Sequence, residues 1–324
     1  MKTMNRITVM IGIGVAIFSG SILFPSCTKQ RAATPTPGQD YAPASAFYST
    51  YQQPVQVIQV DSPGTGYIFG KMGTRLSGDA SIFMFPGNPA QPVIYPIILK
   101  LIEIYPEKDM ILSKLPSVGG GKILETGGEI SIRAFKGTQE LVLRPGKKYT
   151  MMLDTNKSLL SGMSVFYGFP GIGTPAFTDW TSNISLLNPA ISQDTLSKVI
   201  NQPLFYQMNI AIMGWVSCAQ VYTSASLTTN ITFTTPSNST NTQNLDVYLA
   251  FTDIHGMMQV YNMKSQAIPI GTNLTVIAIA QDANSANSLV YYSQSTTVTA
   301  GQVIALNPTD ITSANLITAL SAFK

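Results

Sequence analysis

Charge, histidine and cysteine are the scarce commodities of this chain. Of 324 residues only 11% are charged, against about 25% in an average soluble protein. One His and two Cys are too few for a zinc finger, a four-cysteine iron–sulfur centre or a disulfide-stapled miniature. A formal net charge of +3 is too weak a field for a nucleic-acid binder held by phosphate neutralisation. With 45% apolar residues, the chain is the reverse of a disordered, highly charged tail. Nothing in this composition asks for a cofactor or a metal.

The scarcity is uneven. Residues 27–155 carry 13 Lys or Arg and 10 Asp or Glu, whereas residues 156–324 carry four Lys, six Asp, and neither Arg nor Glu. Thr, Ser, Asn and Gln replace ions in the second stretch, which predicts two differently surfaced units.

At the N-terminus, Lys2 and Arg6 precede a charge-free apolar run over residues 7–24. Its length fits a secretion signal or a membrane span, and the flanks favour the signal. Leu23-Phe24-Pro25-Ser26-Cys27 follows, then a polar, Pro-containing run over residues 28–39. This resembles the lipobox of bacterial lipoproteins, in which a small residue precedes a cysteine that is acylated and becomes the first mature residue. Phe24 is bulkier than the usual aliphatic residue and Pro25 is unusual; a plain signal anchor ending at Cys27 is the alternative. Several acyl chains, at about 0.8 kcal/mol per buried methylene, anchor firmly where one does not. Without residues 1–26, 17 basic side chains face 16 acidic ones. With Cys27 acylated, Cys218 is alone and no intramolecular disulfide can form. The membrane face stays open: the basic run Thr28-Lys29-Gln30-Arg31 differs from the acidic signals of surface-exported lipoproteins, leaving the periplasmic side as eligible as the surface of a presumed outer membrane.

The rest reads as all-β, in two β-sandwich-like domains. Residues 27–54, with four prolines, a glycine and no apolar periodicity, predict a flexible tether. Short β runs separated by Gly, Pro and Asn fill residues 55–155, including 96–104, with two largely apolar faces, and 129–135, with one face expected to see water. Residues 156–203 read as a connector with one short helix over 193–200, capped by Ser192. About seven strands over residues 204–306 predict an immunoglobulin- or transthyretin-like sandwich. Leu316, Ile317, Leu320 and Phe323 space a short C-terminal amphipathic helix.

Two segments carry a family resemblance. Lys100-Leu-Ile-Glu-Ile-Tyr-Pro-Glu-Lys-Asp-Met-Ile-Leu-Ser113, with Leu124-Glu-Thr-Gly-Gly-Glu129 and Leu143-Arg-Pro-Gly-Lys147, resembles the strand, aspartate–methionine turn, glycine pair and second hairpin of a family of largely uncharacterised lipoproteins from Bacteroidetes-type bacteria. Met213-Gly-Trp-Val-Ser-Cys218 is similar to that family's Gly-Trp-aliphatic-x-Cys signature, although Ala219 stands where relatives commonly have an acidic residue. The resemblance implies an exported, two-domain all-β protein and supplies no reaction.

The chemical candidates are few. His255, in Asp253-Ile-His-Gly256, reads as a turn histidine; Cys218, with nothing basic nearby to activate it, as an inert core thiol. Glu103, Glu107, Asp109, Glu125 and Glu129 could form a paired-carboxylate hydrolase or a calcium site. Lys100, Lys108, Lys114 and Lys122 interleave with them, which favours a solvated, charge-balanced rim. Gly119-Gly-Gly-Lys122 lacks the spacing of a phosphate loop. Tyr167, Phe169, Phe177 and Trp180 are a candidate glycan platform, with ordinary packing the commoner fate of such rings. Thr195, in Asp194-Thr195-Leu196, is a candidate O-glycosylation acceptor in a weak motif. The expectation is therefore a lipid-anchored envelope protein, non-catalytic, serving as a structural, adhesive or interaction module with an envelope protein or glycan as partner.

Overall fold

In the computed structural model, residues 38–63, 66–154, 159–170, 177–187, 197–202, 204–285 and 288–324 are described. Among them three large antiparallel sheets hold most of the strand residues, joined by three short α-helices. The fold is all-β and sandwich-like, as its turn-punctuated β runs predict.

Sheet 1 is nine-stranded, with the main path Phe177–Thr181, Ser164–Pro170, Gly214–Val221, Lys122–Lys136, Ile97–Ile104 and Gln56–Val60. Sheet 2 runs Lys198–Gln202, Phe205–Ile210, Tyr149–Asp154, Arg75–Leu76, Ile68–Phe69. The two stack on alternating residues, as the two-residue period of strands requires. Ile97, Leu99, Leu101, Ile130, Ile132, Val216 and Cys218 of sheet 1 meet Tyr149, Met151, Leu153, Tyr206, Met208 and Ile210 of sheet 2 in one core.

Sheet 3 is six-stranded: Met257–Val260, Asp246–Phe251, Asn273–Asp282, Leu289–Thr297 and Thr309–Ile311, with Tyr41–Ala42 paired to the end of Asn273–Asp282. One face, with Val247, Leu249, Val276 and Ala278, packs on Ile231, Phe233, Ile268 and Ile304 from two small ribbons. The other face looks toward sheet 1. Between them lie α1 (Ser45–Tyr51), α2 (Glu107–Ser113) and α3 (Ser313–Leu320). Phe47 and Tyr48, then Met110, Ile111 and Leu112, then Leu316 and Leu320 fill a third core with Ile104, Leu124, Phe166 and Trp180 of sheet 1 and Tyr248, Ala250 and Ile277 of sheet 3. No helix among the described residues is long and apolar enough to cross a membrane.

Several expectations need correction. The tether predicted over residues 27–54 is packed from residue 38 onward: Tyr41, Phe47 and Tyr48 are buried. Its aromatic side chains outweigh its prolines once two sheets stand ready to receive them. The boundary expected at residue 204 falls inside the sheets, because Phe205–Ile210 and Gly214–Val221 pair with strands of the first half and Gly214–Val221 also pairs with Ser164–Pro170 of the expected connector. The helix expected over 193–200 is contradicted at its end, where Lys198–Gln202 is a strand with Val199 opposite Met208. Its β-branched pair, Val199 and Ile200, fits the edge of sheet 2; residues 193–196 lie outside the described residues. Asp109 and Met110 sit in α2 rather than in a turn. The helix at 313–320 is as expected, with the Thr312 hydroxyl accepting from Asn315 N–H at 3.3 Å.

The Gly127-Gly128 pair, expected to separate two strands, is a β-bulge within the 15-residue strand Lys122–Lys136. Opposite it, Cys218 pairs with Gly128 and Ala219 with Thr126. The Thr126 hydroxyl closes the bulge, accepting from Gly128 N–H at 3.0 Å. Gly128 has φ +147°, and a Cβ there would come within 2.7 Å of the Tyr105 ring. The extra residue resets the alternation, so Leu124 and Thr126 before it and Glu129 and Ser131 after it all face the helical layer.

Candidate functional site

Of the predicted site residues, Cys27 and Thr195 lie outside the described residues. The aromatic platform is not formed by the residues that can be placed. Trp180 is 1% exposed, with its indole N–H donating to Pro116 O at 2.9 Å. Tyr167 is equally buried, between sheets 1 and 2. Neither ring offers a face to a sugar; Phe169 and Phe177 lie in strands, but their side chains are outside the described residues.

The carboxylates depart most from expectation. Instead of a solvated rim, Glu103, Glu107, Asp109 and Glu129 are all buried, and Glu125 is half-buried with Gln220 Nε2 donating to it at 2.9 Å. Glu103 and Glu129 lie on adjacent strands only one register step apart. The pleat sends them to opposite faces of sheet 1, so they cannot flank a common substrate.

Glu103 points toward sheet 2 and organises the turn over residues 70–74. Its Oε2 accepts from Gln56 Nε2 at 2.7 Å and Met72 N–H at 3.0 Å, its Oε1 from Thr74 N–H at 3.0 Å. Main-chain donors thus supply the compensation a buried carboxylate needs. Asp109 ties α2 to the segment after α1, accepting from Gln53 Nε2 at 2.7 Å. Burial raises its pKa, against the hydrogen bond from Gln53 and the nearby Lys108.

On the helical side of sheet 1 the bulge assembles a polar node. Glu129 is fully buried, its Oε1 accepts from Ser117 Oγ at 2.9 Å, and its Oε2 has no hydrogen-bond partner. Burial pushes its pKa up to about 8, with Ser117 pulling only weakly the other way. Beside it Thr126 and Ser217 share a hydroxyl–hydroxyl hydrogen bond of 3.0 Å. The turn over residues 252–256, between Asp246–Phe251 and Met257–Val260, lands on this node. His255 Nδ1 lies 2.7 Å from Thr126 O, Thr126 N–H donates to His255 O at 2.9 Å, and Gly256 N–H to Glu107 Oε1 at 3.1 Å. His255 is thus a turn histidine, as its neighbours predict. Cys218 is a core thiol whose pKa burial raises far above its ordinary value. Ser117, Thr126 and Ser217 went unmarked in the sequence, since small hydroxyls are common in strands; the glycine pair beside Thr126 was their best signal.

The solvent-facing feature is an open edge of mixed polar and apolar character. Gln56–Val60 ends the main path of sheet 1 and Ile68–Phe69 ends sheet 2, on the same side of the sandwich. Between them runs a groove of about 390 Å³ lined by Ile58, Val60, Tyr67 and Ile68 together with the polar Gln59, Asp61 and Ser62. Val57 and Phe69, 65% and 64% exposed, alternate with the inward-facing Ile58 and Ile68 and so lie on the outer faces of the two edge strands. Comparison with known proteins finds no matching family model and no detectably similar curated protein.

Proposed function

We propose that this chain is a lipid-anchored cell-envelope protein acting as a non-catalytic interaction module, structural or adhesive, built on the lipoprotein pattern its sequence resembles. The open edge strand Gln56–Val60, with Val55, Val57, Tyr67 and Phe69 exposed on and around it, carries the interaction reading. Edge strands with free main-chain groups and exposed apolar side chains are templates for strand addition, and proteins that do not use them blunt them with charge or proline. The charge-free run ending at Cys27 supports the anchor. Replacing Cys27 by Ala releases the protein from the membrane fraction; unchanged anchoring removes the lipid claim. A photo-crosslinking residue at position 57 or 69 should capture a partner on intact cells, whereas the same residue at exposed Tyr261 should not. Equal capture from all three positions overturns the edge as the interaction surface.

A further inference from the structure

The 252–256 turn seats on sheet 1 with no room to spare. A Cβ on Gly256 would stand 2.7 Å from Leu124 O and 3.1 Å from Ser117 Cβ. Ser117 N–H donates to Met257 O at 2.8 Å, so Ser117 holds the turn with its main chain and Glu129 with its side chain. Across the strands Glu129 is flanked by Ile104 and Ser217. From α2 come Glu107, bonded to Gly256, and Asp109, bonded to Gln53 and 4.0 Å from Lys108 Nζ. From the turn comes His255, and from the same strand Glu125, bonded to Gln220. None of these groups donates to Glu129 Oε2.

We propose that Glu129 is a proton-held latch: as the neutral acid it lets the 252–256 turn of sheet 3 close on sheet 1, and loss of its proton opens that contact. A buried carboxylate with one hydrogen bond is far costlier than the neutral acid. Ser117, bonded to Glu129 by its hydroxyl and to Met257 by its main chain, links the carboxyl to the seating of the turn. Because the closed state binds the proton more tightly than an open, hydrated one, closure is favoured at low pH and lost as pH rises through about 8.

Amide exchange at Ser117, Thr126 and Gly256, corrected for intrinsic rate, should be followed from about pH 6 to about pH 10. Protection at these three amides should fall about tenfold per pH unit up to about pH 8 and level off above it, as one-proton linkage requires, while Val276 in sheet 3 keeps its protection. Glu129→Gln, neutral at every pH, should abolish the fall. An unchanged fall in that variant, or constant protection in the wild type, overturns the latch. Should Glu129→Gln not fold, carboxyl NMR on wild-type protein decides. A Glu129 carboxyl titrating with the amide transition supports the latch, and one titrating in the ordinary carboxylate range overturns it.

Discussion

Sheet 1 closes two interiors with its two faces, and they are built on different terms. The face toward sheet 2 is strand alternation carried through: aliphatic residues at every second position, with the one buried carboxylate, Glu103, at the rim where main-chain N–H groups receive it. The face toward sheet 3 is covered by three helices from far-apart stretches of chain, and it keeps Glu129, Glu107 and Asp109 among its apolar side chains. A core between two sheets can be read from period two; a seam filled by borrowed helices retains polar groups that fix how the pieces meet. The buried carboxyl groups of the two faces differ in their compensation rather than in their depth.

That contrast can be broken by experiment. The largest effect should be the Glu129 contribution to pH-dependent stability. Its folded pKa of about 8 lies above its unfolded value near 4.5, so its contribution is full below about 4.5 and declines until pH passes about 8. Wild type and Glu129→Gln, unfolded in denaturant across that window, should diverge by on the order of 5 kcal/mol; parallel curves would equate the two faces. Trp180→Ala should cost about 3–5 kcal/mol by emptying the helical seam, read from the denaturation midpoint. A loss within about 0.5 kcal/mol would mean the seam contributes little to stability. Glu103→Ala strands the N–H groups of Met72 and Thr74, and should cost about 3 kcal/mol, with Glu103→Gln recovering part of it. The smallest effect belongs to Lys114→Met. It removes the 2.7 Å ion pair with Asp246 across the seam, but this partly exposed pair should contribute about 1 kcal/mol or less.

What was legible in the sequence follows the same division. Ile97–Ile104 and Asp246–Phe251 announce themselves by β-branched and aromatic runs between turn residues, and the class of fold follows from many such runs. The seam did not announce itself. Residues 107–113 hold Glu, Lys and Asp beside Met, Ile and Leu, a pattern that reads as a charged turn until a second sheet lies above it. Phe47 and Tyr48 sit among prolines and look like tether. Glu129, Ser131 and Arg133 alternate with aliphatics as a solvated face would, and only tertiary packing places the first two in the interior while Arg133 stays exposed. The interleaved lysines suggested local charge balance, whereas the partner of Lys114 is Asp246, 132 residues away. Burial set by distant elements leaves no local periodicity to find.

The chain's point of entry has a mechanical meaning. Tyr41–Ala42 pairs with Gln281 and Asp282 of sheet 3. Around it Thr240 N–H donates to Gln39 O, Ala283 N–H to Asp40 O, and Thr240 Oγ1 and Asn241 Nδ2 to the Asp40 carboxylate. Tension applied at residue 38 is therefore delivered to sheet 3 and loads those bonds before any strand of the first sandwich. That sandwich, although next in sequence, is shielded from the pull until the 41–42 strand shears away and α1 peels from the seam. Single-molecule pulling from residue 38 against Lys324 should show this small early rupture first, and Asp40→Ala should lower its force while leaving later events unchanged.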